Sequence, residues 1–464
     1  MSVLLKNGLV VTSTGSYIAD VYIEGEKITS IGSGLGVKAD ETVDASGKYI
    51  LPGAIDPHTH IDMPFMGTTS SDDWRTGSIA AACGGTTTII DFSLQGKGEM
   101  LKDAVDRQKG KADGKTVVDY SIHPGVTDAR PEVIDEVKKA IHDYGTPSFK
   151  IFLFYDFRVD DYTMIRLLEE TKKHGGLVQV HAESFDMIRR LNEQFAEEGK
   201  LAPPISHARA HCVLAEEEAV DRAAKAVEFT GSRIYVVHLS SGRGLWKIKR
   251  ARDKGVRVHA ETCPQYLTLT EDRYNEPDWN GAKYVMSPPL RQQDSCDELW
   301  QGLRDGDVQT IGTDHCPFNF KGQKDMNGKD DYKKIPNGAP GIETMLMLMH
   351  SEGVVKGRIT LEKMVDVLST STARMFGLAD KGAVAAGKDA DVVVFDPKRT
   401  FTITQKKLHQ NVDYTPWEGL TVTGMPQVVY SRGKRVAEWS GDQMKFVGEV
   451  GKGKFVKRQP LAAF

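Results

Sequence analysis

Eight times between residues 50 and 313 a short apolar run meets a polar residue and gives way to a more polar, helix-like stretch. The runs are 50–56 (ILPGAID), 86–92 (TTTIIDF), 117–122 (VVDYSI), 148–154 (SFKIFLF), 177–181 (LVQVH), 234–238 (IYVVH), 256–260 (VRVHA) and 308–313 (VQTIGT). Segments between them, such as 161–174 (DYTMIRLLEETKKH) and 243–254 (RGLWKIKRARDK), carry helical periodicity. Eight strand–helix units of this kind predict an α/β fold, a (β/α)8 TIM-type barrel. An open doubly wound sheet is the competitor, and the lack of a GxGxxG after any run weighs against it.

The two ends of the chain read differently. Residues 3–12 (VLLKNGLVVT), 19–24 (ADVYIE) and 27–31 (KITSI) are short β-rich runs split by Asn-Gly and Glu-Gly turns. After a helical stretch near 361–377 the β pattern returns at 391–395, 420–423 and 427–438. Each cluster is too small to fold alone, so the two are expected to pair into one β-sandwich domain. The expected division is 1–52 with 380–440 for the sandwich, 53–379 for the catalytic barrel, and 441–464 for a Gly- and Lys-rich C-terminal arm.

Composition excludes several classes. Sixty Lys and Arg against 64 Asp and Glu leave a net charge of −4, with no electrostatic case for nucleic acid or an acidic membrane. No apolar run approaches the roughly 18 residues of a membrane span. The start, MSVLLKNGLVV, reads as a strand rather than a signal peptide, so a cytoplasmic location is expected. The five Cys include no CxxC pair, which argues against disulfides or a zinc knot. Cys316 follows an Asp-His pair; it either borders a site or is a small buried hydrophobe.

In a barrel of this type the chemistry gathers at the carboxyl ends of the strands. The first run leads into Asp56-Pro57-His58-Thr59-His60, the fourth holds Lys150 with Tyr155 beyond it, the fifth and sixth end in His181 and His238, and the eighth precedes Asp314-His315. His58 and His60 stand two apart on a strand, so both rings face one side and can bind one metal ion. An HxH pair alone is weak; joined by His181, His238 and Asp314 it points to a metal centre, since buried polar groups need partners. Lys150 sits in an otherwise apolar strand, where neighbouring metal ions would repel a free ammonium. Addition of CO2 to the neutral amine makes a carbamate whose two oxygens can bridge two metals. A buried stem with its head in solvent is the plain alternative.

The segments His58-Thr59-His60, Ser148-Phe149-Lys150, His181-Ala182-Glu183, His238-Leu239-Ser240 and Gly312-Thr313-Asp314-His315 together resemble the cyclic amidohydrolases, most closely the dihydropyrimidinase/hydantoinase branch. The likeness continues through 283–291 (KYVMSPPLR), 335–338 (IPNG) and 413–419 (DYTPWEG) and covers essentially the whole chain. The family fold is a barrel with a β-sandwich built from both termini, in agreement with the pattern above. The resemblance implies that His58, His60, carboxylated Lys150 (N6-carboxylysine) and Asp314 hold one divalent metal, and Lys150, His181 and His238 a second. Zinc suits so His-rich a set, with manganese or cobalt as alternatives.

The resemblance also implies that Tyr155 donates its hydroxyl to the substrate oxygen and that the backbones of Ser287 and Asn337 bind the ring amide. The implied reaction opens a dihydropyrimidine or 5-substituted hydantoin to an N-carbamoyl amino acid. A metal-bridged hydroxide attacks, and Asp314 passes its proton to the leaving nitrogen. Dihydroorotases typically carry an Arg two residues after the HxH, where it can hold a carboxylate. Here that residue is Asp62, so an anionic substrate would meet a negative charge and neutral cyclic ureides are expected. The alternatives are an allantoinase-like ureide hydrolase and a non-catalytic collapsin-response-mediator-like assembly protein. The latter lacks the full ligand set, which is present here.

Phe152, Phe154 and Phe157 favour apolar ring substituents if they line the mouth, or else they pack in the core. His123 and His259 also sit at strand ends but are not ligands in the family pattern, and His315 should face away from Asp314. The family's enzymes are commonly tetramers, so a homotetramer is expected, with the tail as a docking arm.

Overall fold

The computed structural model describes residues 2–461. Eight parallel strands lie side by side in chain order: Ala54–Thr59, Thr86–Leu94, Asp119–Gly125, Ser148–Phe152, Leu177–His181, Arg233–Val236, Arg257–Thr262 and Thr310–Ile311. The ring closes just past the short last strand, where the His60 N–H donates to the His315 carbonyl (2.8 Å) and Thr59 pairs with His315. Most of these strands are buried on both faces, which is why they read as continuous apolar runs rather than alternating ones. The helices between them follow their periodicity. Asp161–His174 buries Met164, Leu167, Leu168 and Thr171 along one stripe. The Asp160 side chain caps it by accepting from the Thr163 N–H (2.8 Å), and Gly175 ends it at φ 76°.

The first run splits in two. Tyr49–Pro52 belongs to the terminal sheet and Ala54–Thr59 to the barrel. Gly53 marks the crossing, where a Cβ would lie 2.0 Å from Thr87 Oγ1 and only glycine fits.

The terminal sheet has nine strands drawn from both ends of the chain. Tyr49–Pro52 is its seam, pairing in parallel with Ser2–Val11 on one side and antiparallel with Val392–Thr402 on the other. The sheet curls on itself, so that the Gly25 turn touches Gly433, where a Cβ would meet the Gly25 carbonyl at 2.1 Å. Val3, Val21, Ile28, Ile50, Val392 and Tyr430 share the core so enclosed. Asn7-Gly8 does not turn the chain as expected. It forms a bulge inside Ser2–Val11, with Asn7 at φ 61° and a register shift between Leu5 and Gly8. The expected strands at 420–423 and 427–438 are instead one strand, Thr421–Ser431, and its hairpin partner Lys434–Ser440.

The tail is not an arm over its described length. Gln443–Phe446 pairs with Lys434–Ser440 at the edge of the terminal sheet. The chain then crosses the amino-terminal end of its own barrel, where the Tyr120 N–H donates to the Lys454 carbonyl (2.9 Å) and the Val456 N–H to the Tyr120 carbonyl (2.7 Å). The reason is apolar burial: Met444 is enclosed, and Phe455 packs edge-on against Tyr120 at 5.5 Å. Residues 462–464 lie outside the described residues. Among the described residues no helix is long and apolar enough to cross a membrane.

Candidate metal centre

His60, Lys150, His181, His238 and Asp314 line one cleft at the carboxyl end of the barrel, and His58 lies fully buried behind them. Asp314 Oδ1 is 3.3 Å from His58 Nε2 and 3.1 Å from His60 Nε2. Ligand atoms of His58, His238 and Asp314 all fall within 4.8 Å of one another, and the His181 and His238 ring centroids are 4.6 Å apart. The Lys150 Nζ sits 5.0 and 5.1 Å from the ring centroids of Phe92 and Phe152. It makes no hydrogen bond or ion pair among the described residues, although Lys150 is only 1% exposed.

Backbone strain marks the same place. Tyr155, His238 and Asp314 adopt φ of 75°, 38° and 52°. For non-glycine residues this costs about 1–3 kcal/mol each and persists only where the surroundings enforce it. His238 and Asp314 lie two and three residues past their strands, where such a turn can redirect a side chain inward.

The donor set suits a divalent metal. His58 Nε2, His60 Nδ1 and His238 Nδ1 are buried without a hydrogen-bond partner; His58 Nε2 lies near Asp314 but lacks hydrogen-bonding geometry. Orphaned nitrogens of this kind are rare unless something absent from the polypeptide satisfies them. Two carboxylates aim these rings, Glu183 from the His181-Ala182-Glu183 segment and Glu261 from the seventh strand. His58 Nδ1–H donates to Glu261 Oε1 (2.6 Å), and that oxygen also accepts the His238 N–H (3.0 Å). His181 Nε2–H donates to Glu183 Oε2 (2.7 Å), whose other oxygen accepts from His211 Nδ1 (2.9 Å). Each bond settles a tautomer and leaves the opposite ring nitrogen for the cluster. The signal for Glu261 was a carboxylate in the seventh strand, where a charge is rarely buried unpartnered.

Burial draws the Lys150 amine down to about 7, against the pull of Asp314 and Glu261. Burial also pushes Glu261 up to about 7, despite the Tyr235 hydroxyl and His238 N–H that it accepts. It works against the Asp314 carboxylate too, but His58 and His60 outweigh it and hold that group below its ordinary value. The Tyr155 phenol is raised by burial and stays protonated.

Tyr155, Ser287 and Asn337 share the cleft wall, with Asn337 Nδ2 donating to Ser287 Oγ (3.0 Å). Phe65, Phe152 and Phe157 line it, whereas Phe154 faces an adjoining chamber with Phe185 and His211. Cys316 meets both expectations, bordering the cleft while packing in a small apolar cluster with Met63 and Phe318. Asp62 does not line the cleft; its carboxylate lies 3.5 Å from Lys111 Nζ. Asp62 therefore offers no repelling charge to a substrate in the cleft, and the described cleft wall holds no arginine. His315 faces away, with Nε2–H donating to Asp72 Oδ2 (3.0 Å) and Nδ1 accepting from the Gly341 N–H (3.1 Å). His259 is absent from the cleft wall, and burial lowers its pKa to about 4.

Residues 49–436 match the model of the amidohydrolase family. The chain is 47% identical to a D-hydantoinase of Geobacillus stearothermophilus, over 100% of this chain and 98% of that protein. The crystal structure of a dihydropyrimidinase from Brevibacillus agri superposes with a TM-score of 0.97 at 46% identity, covering 100% of both chains. An L-hydantoinase (dihydropyrimidinase) from Arthrobacter aurescens superposes with a TM-score of 0.88 at 31% identity, covering 98% of this chain and 99% of that one.

Proposed function

From the premise that this chain belongs to the amidohydrolase family, as a metal-dependent enzyme that opens a cyclic amide by hydrolysis, we propose that its substrates are dihydropyrimidines and 5-substituted hydantoins, opened to N-carbamoyl amino acids at a two-metal site. One observation carries this reading: partnerless buried imidazole nitrogens beside an unpaired, buried Lys150. His58, His60, Lys150 and Asp314 would hold one divalent ion, and Lys150, His181 and His238 the other, with zinc the best match to the donors. Lys150 takes part as a carbamate. Its amine, drawn down to about 7, is available near neutral pH to bond to CO2 and release a proton, becoming an anion.

When bound, the two ions supply a hydroxide at neutral pH and polarise the ring carbonyl. The remaining work falls to the chain. The Tyr155 hydroxyl donates to the oxyanion as it forms. The backbones of Ser287 and Asn337 hold the ring amide in register. Asp314 accepts the proton of the attacking water and releases it to the ring nitrogen as the C–N bond breaks. Phe65, Phe152 and Phe157 give the wall an apolar character suited to uncharged ring substituents. The chain is proposed to form a homotetramer, with the helices that expose Phe229 and Trp246 as surfaces suited to contact between copies.

The test is a panel of dihydrouracil, 5-substituted hydantoins, allantoin and dihydroorotate. Dihydrouracil and the hydantoins should be hydrolysed and dihydroorotate should not. Dihydroorotate turnover comparable with that of dihydrouracil would overturn the reading, and preferential turnover of allantoin would favour the allantoinase-like alternative.

A further inference from the structure

Lys324 is as deeply buried as any residue of the candidate site, at 0% exposure, yet it lies outside it. Among the described residues it has no ion-pair partner. Its Nζ instead donates to two backbone carbonyls, Val285 O and Pro336 O, each at 2.9 Å. A buried ammonium held only by carbonyls is uncommon, because desolvation opposes the charge and no anion offsets it. Here burial draws its pKa down to about 7.

The two carbonyls are not arbitrary. Val285 stands two residues before Ser287, and Pro336 immediately precedes Asn337. The same strap is tied twice more, by the Gly338 N–H donating to Val285 O (3.0 Å) and by Asn337 Nδ2 donating to Ser287 Oγ (3.0 Å). The neighbouring Gln323 reaches a third loop, its Nε2 donating to Thr68 Oγ1 and to the Thr69 carbonyl, both at 2.8 Å. That loop is the short hairpin carrying Phe65 into the cleft. Two consecutive side chains, Gln323 and Lys324, thus touch three of the segments that form the cleft wall.

We infer that Lys324 is a positioning residue for the substrate: its ammonium sets the spacing between the loop of Ser287 and the loop of Asn337, and so the gap in which the ring amide is read. It touches no substrate and acts through the two loops. The inference rests on the proposed roles of Ser287 and Asn337.

The test compares the metal-loaded wild type with Lys324→Met, which keeps the length and apolar stem but removes every donor. Amide hydrogen exchange should quicken across 285–287 and at Asn337 and Gly338. Metal content should stay at the wild-type level. KM for dihydrouracil should rise about 10- to 100-fold with kcat nearly unchanged, the signature of lost binding common to ground and transition states. Lys324→Gln keeps a donor and should fall between the two, and it serves alone if the Met variant does not fold. Unchanged exchange in both loops, or a fall in kcat that tracks metal loss at constant KM, would overturn the inference. If the wild type hydrolyses none of the cyclic ureides, the substrate reading fails instead, and the exchange data still decide whether Lys324 holds the loops.

Discussion

The mouth and the floor of the barrel bury the same kind of side chain in opposite states. Below the cleft, His123 has both nitrogens engaged. Nδ1 lies 2.6 Å from Ser148 Oγ and 2.7 Å from Gln179 Nε2, which share its single lone pair, and Nε2–H donates to the Pro57 carbonyl (3.1 Å). Arg458, from the tail, completes that network through Ser148 Oγ (2.6 Å), Ser121 Oγ (2.9 Å) and the Ile122 carbonyl (2.7 Å). At the mouth, His58, His60 and His238 each keep a buried nitrogen with no hydrogen-bond partner, and Lys150 has only the ring faces of Phe92 and Phe152, with no hydrogen bond or ion pair among the described residues. Burial is nearly equal at the two ends, so burial does not mark a ligand. The unsatisfied nitrogen does, because a group taken from water without replacement bonds is costly unless something else binds it.

The largest expected effect breaks the mouth. Lys150→Ala should lower kcat/KM by about a thousandfold or more and remove both metals together, since the carbamate proposed to join them can no longer form. Metal analysis beside kinetics checks this, and a variant that keeps both ions contradicts the bridging role. The same residue has a pH signature. Reloading of metal-stripped wild type should depend on bicarbonate and slow as pH falls through about 7, where the Lys150 amine takes up a proton and stops adding CO2. An ordinary lysine would need pH near its usual value of about 10.4 for the same availability.

A smaller effect sharpens the contrast between ligands and the groups that aim them. Glu261→Gln keeps an acceptor near His58 Nδ1 but removes its charge. It should weaken metal affinity or activity about 10- to 100-fold, measured by titrating metal into the stripped protein. No change would mean that Glu261 merely fills space.

The smallest effect on catalysis is expected at the floor. Arg458→Met leaves the Ile122 carbonyl and two serine hydroxyls short of a donor and should destabilise the fold by about 2–3 kcal/mol. It should leave kcat/KM per folded, metal-loaded molecule within about twofold. Denaturant unfolding and kinetics at matched metal content separate the two. A large catalytic loss at full metal loading would show that the floor tunes the site as well as supporting it.

Much of this molecule was legible in its chain. The doubly buried strands announced themselves as apolar runs, and the His58–His60 pair, His181, His238 and Asp314 stood at or just past their ends. The helix over 161–174 matches Asp161–His174 because its apolar stripe and the Asp160 and Gly175 ends agree. The misreadings share a cause. The unbroken run 50–56, the Asn7-Gly8 turn and the repelling Asp62 all follow from neighbours in sequence, while the outcomes depend on Thr87, Asp20 and Lys111, which only folding brings near.

What the sequence determined alone is what local physics decides: the period of each segment, the residue types at strand ends, and hence the barrel and the chemistry open to its mouth. Which nitrogen of His58 is aimed at the cluster depended on Glu261, 203 residues further along the chain. Whether the tail reaches outward or seals the barrel depended on Tyr120, Ser121 and Ser148, more than 300 residues away. Whether Lys324 is a solvated charge or a buried strap depended on two carbonyls separated by about 50 residues. Hydrogen-bond satisfaction in a closed core is a property of the whole packing, so no stretch of the chain encodes it by itself.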